Sequence, residues 1–287
     1  MAMTTEQAVL HLRNDPRWAR AMRDSYLDED ASAAARRFEA SGEFAAVRTL
    51  LGEWLPGATV LDLGAGTGIA TRAFSRAGAS RVVALEPDPS HVIGRGAIAR
   101  VCEGLPGVLS LSGYGEQIPL AEGVVDVVYA RQVLHHARDL PGLLRECARV
   151  LRPGGILLAA REHVVDGPEQ LRAFLDYHPV HQLAGGENAF ALEEYLAAID
   201  ASGLRLVLTL GPWDSVINAF PAVQTDTEIP DLARSRFLLR WGLLGRLALA
   251  LPGADHRARR SLERPEPGRL YSFLCERPHA GLREKDV

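Results

Sequence analysis

A glycine-rich loop carries the clearest chemistry in this sequence. Residues 60–68 read VLDLGAGTG, an apolar run followed by glycines at every second position, Gly64, Gly66 and Gly68. Glycine has no Cβ, so it accepts positive φ angles and lets a ligand lie directly against the backbone. A strand that ends in such a loop and opens a helix presents unpaired N–H groups at the positive end of the helix dipole. The loop therefore predicts a nucleotide-type cofactor at the carboxyl edge of a parallel sheet.

The spacing of the glycines narrows the type of cofactor. A dinucleotide fingerprint requires G-x-G-x-x-G, and Ile69 stands where its third glycine should be. No Lys-Ser or Lys-Thr pair follows the glycines, which argues against a phosphate-binding loop of the NTPase type. The missing third glycine argues against a dinucleotide, and an NAD(P)-dependent oxidoreductase is kept as one alternative hypothesis. A non-catalytic cofactor-binding interaction module is a second.

Five segments, in order and at the expected spacing, resemble the class I S-adenosylmethionine-dependent methyltransferases, in the ubiquinone- and sterol-type small-molecule branch. They are DLGAGTG at 62–68, VVALE at 82–86, GYGEQIPL at 113–120, DVVY at 126–129 and RVLRPGG at 149–155. The resemblance covers about the first two thirds of the chain. It implies methyl transfer from S-adenosyl-L-methionine, by in-line displacement, to a small-molecule metabolite or biosynthetic intermediate. It does not fix an oxygen, nitrogen or carbon acceptor.

The resemblance also implies a set of cofactor-binding residues. Glu86, at the end of the second strand, would accept hydrogen bonds from the ribose hydroxyls, because one carboxylate can accept from both. Tyr114 replaces the aspartate that the family has near the adenine amino group, and a tyrosine can still accept a bond or lie against the base. The full implied set is Asp62, Gly64, Ala65, Gly66, Gly68, Glu86, Pro87, Tyr114, Gly115, Glu116 and Arg131.

Histidines and charged residues after the fourth and fifth strands are the candidates for the acceptor side. The candidate catalytic bases are His136, His163 and His181, because a neutral imidazole can take a proton from an oxygen or nitrogen acceptor; a helix cap or a loop contact explains His136 equally well. The candidate substrate-binding residues are Arg161, Glu162, Tyr177, His178, Glu187 and Asn188. Exposed loop charges are the alternative for Arg161 and Glu162, and an N-cap is the alternative for Asn188. No acidic metal-binding cluster is evident, so no metal is expected.

The elements that position these residues alternate between strands and helices. The predicted strands are 58–63, 81–86, 108–111, 124–130, 156–160, 204–210 and 269–275, and the predicted helices between them are 67–77, 87–101, 139–151 and 190–201. Such alternation indicates right-handed crossovers and a parallel sheet. The expected fold is therefore α/β, Rossmann-like and doubly wound, with a mostly parallel seven-stranded sheet whose last strand is antiparallel, as the resemblance implies.

The chain is expected to divide into two parts. Residues 1–54 form an N-terminal helical extension, because their apolar residues recur at helical spacing. Residues 55–287 form the methyltransferase domain that the resemblance implies. Two long connectors, about 161–189 and 212–266, are predicted to be inserted lids that cover the substrate.

Composition describes an ordinary globular protein of 287 residues, 47% hydrophobic, with a formal net charge of −4. This balance gives no reason to expect a nucleic acid partner. The 3 cysteines lack metal-ligand spacing and indicate a reducing compartment. With no signal peptide pattern and no apolar run of about 18 residues, we expect a cytoplasmic protein without stable membrane insertion. The leucine- and arginine-rich segment 232–251 is expected first to pack as a lid, second to form a homodimer face and third to lie on a membrane.

Overall fold

A seven-stranded sheet forms the centre of the computed structural model, which describes residues 3–28 and 30–279. The strands are β1 (Thr59–Leu63), β2 (Arg81–Leu85), β3 (Val108–Leu111), β4 (Val125–Arg131), β5 (Leu151–Val164), β6 (Arg205–Leu210) and β7 (Arg269–Glu276). Their order across the sheet is β3-β2-β1-β4-β5-β7-β6. Strands β1 to β5 pair in parallel, and β7 runs antiparallel to both β5 and β6. The predicted mostly parallel sheet with an antiparallel last strand is confirmed.

Helices cover both faces of this sheet. They are α1 (Thr5–Arg13), α2 (Ala19–Asp24), α3 (Ala31–Glu39), α4 (Gly42–Leu51), α5 (Ile69–Arg76), α6 (Arg95–Val101), α7 (Leu140–Val150), α8 (Pro168–Tyr177), α9 (Pro179–Ala184), α10 (Leu192–Ala201), α11 (Val216–Ala219), α12 (Ile229–Leu249) and α13 (Ala254–Arg260). Because both faces are covered, the central strand β4 is an almost continuous buried apolar run, from Val125 to Ala130. Crossover helices of this kind hold the carboxyl ends of the parallel strands at one common edge.

Helices α3 and α4 pack on the same face of the sheet as α5. A row of aromatic rings connects the layers: Phe38 lies 5.2 Å from Phe44, Phe44 lies 5.4 Å from Phe74, and Phe74 lies 4.9 Å from Tyr129, measured between ring centroids. All four rings are buried. Helices α3 and α4 are thus joined through α5 to the central strand, which brings the N-terminal segment close to the carboxyl edge of β4.

Strand β5 is longer than its prediction, 156–160, because it has two partners of different lengths. Its parallel pairing with β4 ends at Ala160, whereas its antiparallel pairing with β7 continues through Glu162 and His163 to Val164. Residues 161–163 therefore belong to a strand, and the carboxylate of Glu162 is fully buried. The alternative of exposed loop charges for Arg161 and Glu162 is wrong.

Two helix starts also differ from their predictions. Helix α6 begins at Arg95, so residues 87–94 form a loop between β2 and the helix. Helix α10 begins at Leu192 with Ala191 as its N-cap residue, whose N–H donates to Glu194 Oε2 at 2.7 Å. The predicted N-cap role of Asn188 is therefore wrong: the N-cap is Ala191, three residues later, and a glutamate in the first turn accepts its backbone N–H.

The segment 232–251 packs over only part of its length. Ala233 and Phe237 of α12 are buried against Ala258 of α13 and against Leu262. Beyond the kink at Gly242, where φ is 50°, Leu249 is partly buried against this group, whereas four other leucines face solvent: Leu243, which is 77% exposed, Leu244, Leu247 and Leu251. Packing as a lid therefore does not account for these four leucines in the second half of the segment. Among the described helices, none has the length and apolar character needed to cross a membrane.

Candidate functional site

The glycine loop follows β1 at the carboxyl edge of the sheet and has the backbone that glycine favours. The φ angles of Gly64, Gly66 and Gly68 are 63°, 53° and 83°. A Cβ on Gly64 would lie 2.7 Å from Cγ2 of Val133, so no larger residue fits there. A Cβ on Gly66 would meet its nearest neighbours only at 4.0 Å. Gly66 thus leaves free space against the backbone, which a bound ligand can occupy.

The carboxylate of Glu86 lies beside this loop. Its Oε2 accepts the N–H of Gly66 at 2.8 Å, and its Oε1 accepts the N–H of Asp88 at 2.9 Å. Burial raises the pKa of Glu86, and these two backbone hydrogen bonds oppose that effect. Each carboxylate oxygen has a second lone pair, so both can still accept a hydroxyl donor. The predicted proximity of Glu86 to the glycine loop is therefore present in the structure.

Asp62 is directed into the protein. Its Oδ2 accepts a hydrogen bond from the hydroxyl of Thr71 on α5 at 2.5 Å, and the side chain is buried. Burial raises the pKa of Asp62 to about 7, although the bond from Thr71 acts in the opposite direction. This contact fixes the strand before the glycine loop to the helix after it. Cofactor contact by Asp62 stays a prediction.

The other predicted cofactor residues lie at the ends of neighbouring strands. Ala65 donates its N–H to the carbonyl of Leu85 at 3.1 Å, and Pro87 follows directly in the loop after β2. After β3, the ring of Tyr114 is 63% exposed, and a Cβ on Gly115 would lie 2.7 Å from Cδ1 of Leu143. Glu116 accepts the N–H of Arg138 at 2.9 Å. The exposed Tyr114 ring is free to lie against a flat ligand, and these contacts stay predictions.

Two predicted site residues, Arg131 and Arg161, lie beside a buried glutamate. Nε and Nη2 of Arg131 donate to the two carboxylate oxygens of Glu43 on α4, at 2.6 and 3.2 Å. Nη1 of Arg161 donates to the carbonyl of Ile217 at 2.7 Å and to that of Phe220 at 3.0 Å, and its Nε lies 3.9 Å from Glu43 Oε1. These contacts hold α4 and α11 against the sheet, and the ligand-binding roles of both arginines stay predictions.

Burial and charge act differently on these two guanidinium groups. Burial lowers the pKa of Arg161. At Arg131 burial acts in the same direction, but the charge and hydrogen bonds of Glu43 outweigh it and the pKa is raised. Sequence reasoning missed Glu43, which lies 88 residues before Arg131 in the chain.

Histidines and carboxylates from four separate segments meet at the same edge of the sheet. We call this group the histidine cluster. Its members are His135 and His136 from the 3₁₀ turn after β4, Glu162 and His163 from β5, His178 between α8 and α9, and Glu187 from the loop after α9. Five of these six residues were predicted from the sequence, and His135 was missed, although it stands directly before the predicted His136.

Glu162 organises the inner side of the histidine cluster. Its Oε2 lies 2.7 Å from Nδ1 of His135 and 3.1 Å from the backbone nitrogen of His135, while its Oε1 accepts the N–H of Val133 at 3.0 Å. The side chain of Val133 also packs against Gly64, so the histidine cluster adjoins the glycine loop. A cofactor in the loop and an acceptor at the histidine cluster would therefore be neighbours.

Glu187 faces the histidines from the outer side. Its Oε2 lies 3.8 Å from Nε2 of His135 and 3.7 Å from Nε2 of His136, and its Oε1 lies 3.8 Å from Nδ1 of His178. Nδ1 of His136 is 3.2 Å from the carbonyl oxygen of Gly186, and the His136 side chain is 43% exposed. The accessible edge of the histidine cluster is thus His136.

Burial lowers the pKa of three imidazoles of the histidine cluster, those of His136, His163 and His178, so these three rings are neutral at neutral pH. Burial lowers the pKa of His163 to about 3, and His135 adds to the effect through its ring 4.8 Å away. Burial also lowers the pKa values of His136 and His178, and in both cases Glu187 opposes the shift. Nδ1 of His163 is 2.9 Å from the carbonyl oxygen of Gly268. His163 is therefore fixed and enclosed, whereas His136 is neutral and accessible.

Three further predicted residues lie outside the histidine cluster. The Tyr177 side chain is 82% exposed, and His181 on α9 has a buried Nδ1 without a hydrogen-bond partner. The backbone N–H of His181 donates to Nδ1 of His178 at 3.4 Å. Asn188 follows Glu187 in the loop before α10. The catalytic role of His181 and the substrate roles of Tyr177 and Asn188 stay predictions.

Residues 61–159 match the protein family described as "Methyltransferase domain". Among curated proteins, the chain is 32% identical over 158 residues to a sterol 24-C-methyltransferase of Gibberella zeae, a match that covers 53% of this chain and 40% of that protein. It is 35% identical over 135 residues to a malonyl-[acyl-carrier protein] O-methyltransferase of Serratia marcescens, covering 45% of this chain and 50% of that protein. The chain thus spans half or less of the length of these two relatives.

Solved structures share the fold over most of the chain. An S-adenosylmethionine-dependent methyltransferase from Mesorhizobium loti superposes with a TM-score of 0.55 at 20% sequence identity, covering 84% of this chain and 100% of that one. At this identity the likeness shows the fold. The family match covers the strands from β1 into β5, and with them the glycine loop and the turn that carries His135 and His136.

Proposed function

Since residues 61–159 belong to the methyltransferase domain family, we propose that this protein transfers a methyl group from S-adenosyl-L-methionine to a small molecule. The observation that carries the proposal is the glycine loop with Glu86 beside it and free space at Gly66. When bound, this cofactor supplies an electrophilic methyl group on a sulfonium ion. The two relatives are named as carbon and oxygen methyltransferases, so the acceptor atom is not part of the proposal.

The residues of the glycine loop fit such a cofactor. Gly66 leaves room for a ligand against the backbone, and the free lone pairs of Glu86 suit a pair of ribose hydroxyls. Tyr114, exposed at the end of the neighbouring strand β3, would lie against the adenine ring. Binding and orienting the cofactor is the main task of this part of the chain, because in-line displacement depends on the alignment of donor and acceptor.

The histidine cluster would bind the acceptor and take its proton. His136 is the proposed base, since its Nδ1 faces the Gly186 carbonyl and must carry the proton of the neutral ring. Its Nε2 is then a free proton acceptor, and the carboxylate of Glu187 at 3.7 Å would stabilise the imidazolium that forms. The segments α8 and α9 and the loop to Glu187 would exclude water from this edge.

Binding measurements test the cofactor half of the proposal. We expect calorimetry to show binding of S-adenosylmethionine and of its demethylated product. At a ligand concentration of a hundred times Kd, each should increase the free energy of unfolding by about 2.7 kcal/mol and thereby raise the melting temperature. Gly66→Val should weaken binding at least about tenfold, a loss of about 1.4 kcal/mol. Gly104→Val is the matched control, because Gly104 also has a positive φ, 71°, and open surroundings.

Two outcomes would contradict the proposal. Stabilisation by NAD but not by S-adenosylmethionine would favour the oxidoreductase alternative. Equal binding by the Gly66→Val and Gly104→Val variants would place the cofactor elsewhere. A screen of small-molecule acceptors with a labelled methyl donor then tests turnover, and the absence of labelled product across alcohols, amines, carboxylates and carbon nucleophiles would leave only the non-catalytic binding alternative.

A further inference from the structure

The histidine cluster has a feature that proton transfer does not require: three groups present electron pairs to one point. Nε2 of His135, Nε2 of His136 and a carboxylate oxygen of Glu187 all lie within 4.8 Å of one another. Two of the three separations are 3.8 and 3.7 Å, which is too long for a hydrogen bond. The sequence predicts no metal here. We propose that these three atoms bind a divalent transition-metal ion such as Zn²⁺.

The orientation of both rings is set by hydrogen bonds on their far side. Nδ1 of His136 faces the Gly186 carbonyl oxygen at 3.2 Å, and a carbonyl only accepts, so the proton of the neutral ring is on Nδ1. Nδ1 of His135 faces the Glu162 carboxylate at 2.7 Å, which places its proton in the same way. When both rings are neutral, as metal binding requires, their Nε2 atoms carry lone pairs toward Glu187. A carboxylate or carbonyl behind the histidine is the arrangement that orients metal-binding imidazoles in proteins.

Charge favours a cation at this point as well. Glu162 also accepts the N–H groups of Val133 and His135, so its carboxylate is held behind the His135 ring. The point between the three atoms is therefore flanked by the carboxyl groups of Glu162 and Glu187 and by the imidazoles of His135 and His136. A divalent ion would neutralise both carboxylates and bind both Nε2 lone pairs, whereas a single proton can join Glu187 to only one of the two Nε2 atoms.

The distances match a site that closes slightly on binding. Zn²⁺ bound to nitrogen and oxygen at about 2.0–2.2 Å holds tetrahedral ligand atoms about 3.3 Å apart. The two gaps to Glu187 are 3.8 and 3.7 Å, and Glu187 lies on a loop between two helices, so a small shift of its side chain closes them. Two histidines and one glutamate are a donor set of catalytic zinc sites, which keep a further position for water or substrate. The exposed edge of His136 leaves room for that position.

Metal binding and proton acceptance exclude each other at Nε2 of His136, because both use the same lone pair. The metal proposal does not depend on methyl transfer, since the three ligands and their supporting hydrogen bonds stand outside the glycine loop. The test therefore measures metal binding directly, with cofactor binding as a separate readout.

The experiment uses the full chain, stripped with a chelator and titrated with Zn²⁺ in calorimetry and with Co²⁺ in visible absorption. We expect one equivalent of each to bind, with Co²⁺ giving the intense visible bands of a four- or five-coordinate site. Glu187→Gln, which keeps the shape of the side chain, should weaken Zn²⁺ binding at least about 100-fold, since even loss of a supporting residue behind a ligand costs 10–100-fold. His11→Ala is the control, because His11 is exposed on α1, outside the histidine cluster.

Absence of stoichiometric Zn²⁺ binding would overturn the proposal. Zn²⁺ binding that is unchanged in Glu187→Gln and His136→Ala would overturn it too, because the ion would then be bound by other surface groups. Binding of S-adenosylmethionine by the same samples reports on the fold and on the proposed function independently. A Glu187→Gln variant that still binds the cofactor but not Zn²⁺ supports the metal site. Zn²⁺ binding without cofactor binding would support the metal site and contradict the proposed function.

Discussion

Replacing Glu43 with glutamine removes a buried negative charge that two arginines share. The Glu43 side chain is fully buried, and the side chains of Arg131 and Arg161 are 11% and 9% exposed. The carboxylate binds Arg131 through two hydrogen bonds, at 2.6 and 3.2 Å. Glutamine has nearly the same shape but can accept through only one oxygen. The substitution therefore leaves two buried guanidinium groups without a counter-charge.

The expected loss of stability follows from this arrangement. Removing one partner of a buried ion pair costs about 3–5 kcal/mol, because the remaining charge is still desolvated. An exposed pair contributes only about 0–1 kcal/mol. Glu122→Gln is the matched control, since Glu122 pairs with Arg277 at 2.6 Å and its side chain is 66% exposed. We expect Glu43→Gln to lower the free energy of unfolding by at least about 2 kcal/mol more than Glu122→Gln does.

Equilibrium unfolding in urea, followed by circular dichroism, measures both variants. The double variant Glu43→Gln/Arg131→Met should recover part of the loss, because replacing a buried pair by apolar groups of similar volume removes the unpaired charge. If Glu43→Gln and Glu122→Gln lower the free energy of unfolding by amounts within about 1 kcal/mol of each other, the buried charge of Glu43 does not have the effect expected here. A double variant less stable than Glu43→Gln would show that packing, and not the unpaired charge, dominates at this position.

Two further predictions concern the core under the glycine loop. Burial raises the pKa of Asp62 to about 7 from 3.8, so the stability that its neutral form contributes is fully present below pH 4 and lost as the pH rises through 7. Between pH 4 and pH 8, the free energy of unfolding of Asp62→Asn, measured in urea, should therefore rise relative to that of the native chain by up to about 4 kcal/mol. The same pH dependence of this free energy in both proteins would contradict this. Phe44→Ala should cost about 3–5 kcal/mol in the same assay, because its ring is buried between Phe38 and Phe74; a loss below 1 kcal/mol would show that the N-terminal helices do not depend on this contact.

The sheet and the glycine loop could be predicted because their signals are local. Buried strands such as β4 are short apolar runs, and the turn after β1 contains three glycines at positions where φ is positive. Both features lie within nine residues of sequence. The length of β5 could not be predicted in this way, because its last part is held by β7, more than 100 residues later in the chain. Long-range pairing of this kind leaves no pattern in the strand itself.

The polar contacts inside the fold were the hardest to predict. Glu43 and Arg131 are ordinary charged residues in their own segments, and only the packing of α4 on the sheet brings them together. A charged residue on an amphipathic helix is by default expected in solvent, so nothing in its neighbourhood marks Glu43 as buried. Arg131 was predicted to bind the cofactor because of the family resemblance, and Arg161 was predicted to bind the substrate. Both lie at the carboxyl edge of the sheet, where α4 brings Glu43 to them.

The histidine cluster lies between these two cases. The sequence identifies the residue types, since histidines and a glutamate recur after β4, in β5 and before α10, but it does not decide which of two adjacent histidines does what. That choice depends on the group behind each ring: Glu162 behind His135 and the Gly186 carbonyl behind His136. His135 is enclosed by a carboxylate and two neighbouring rings, whereas His136 presents the same Nε2 lone pair at the accessible edge. Any reagent that enters from solvent, a proton or a metal ion, therefore meets His136 first, and His135 contributes only when the bound species reaches the point that both rings share with Glu187.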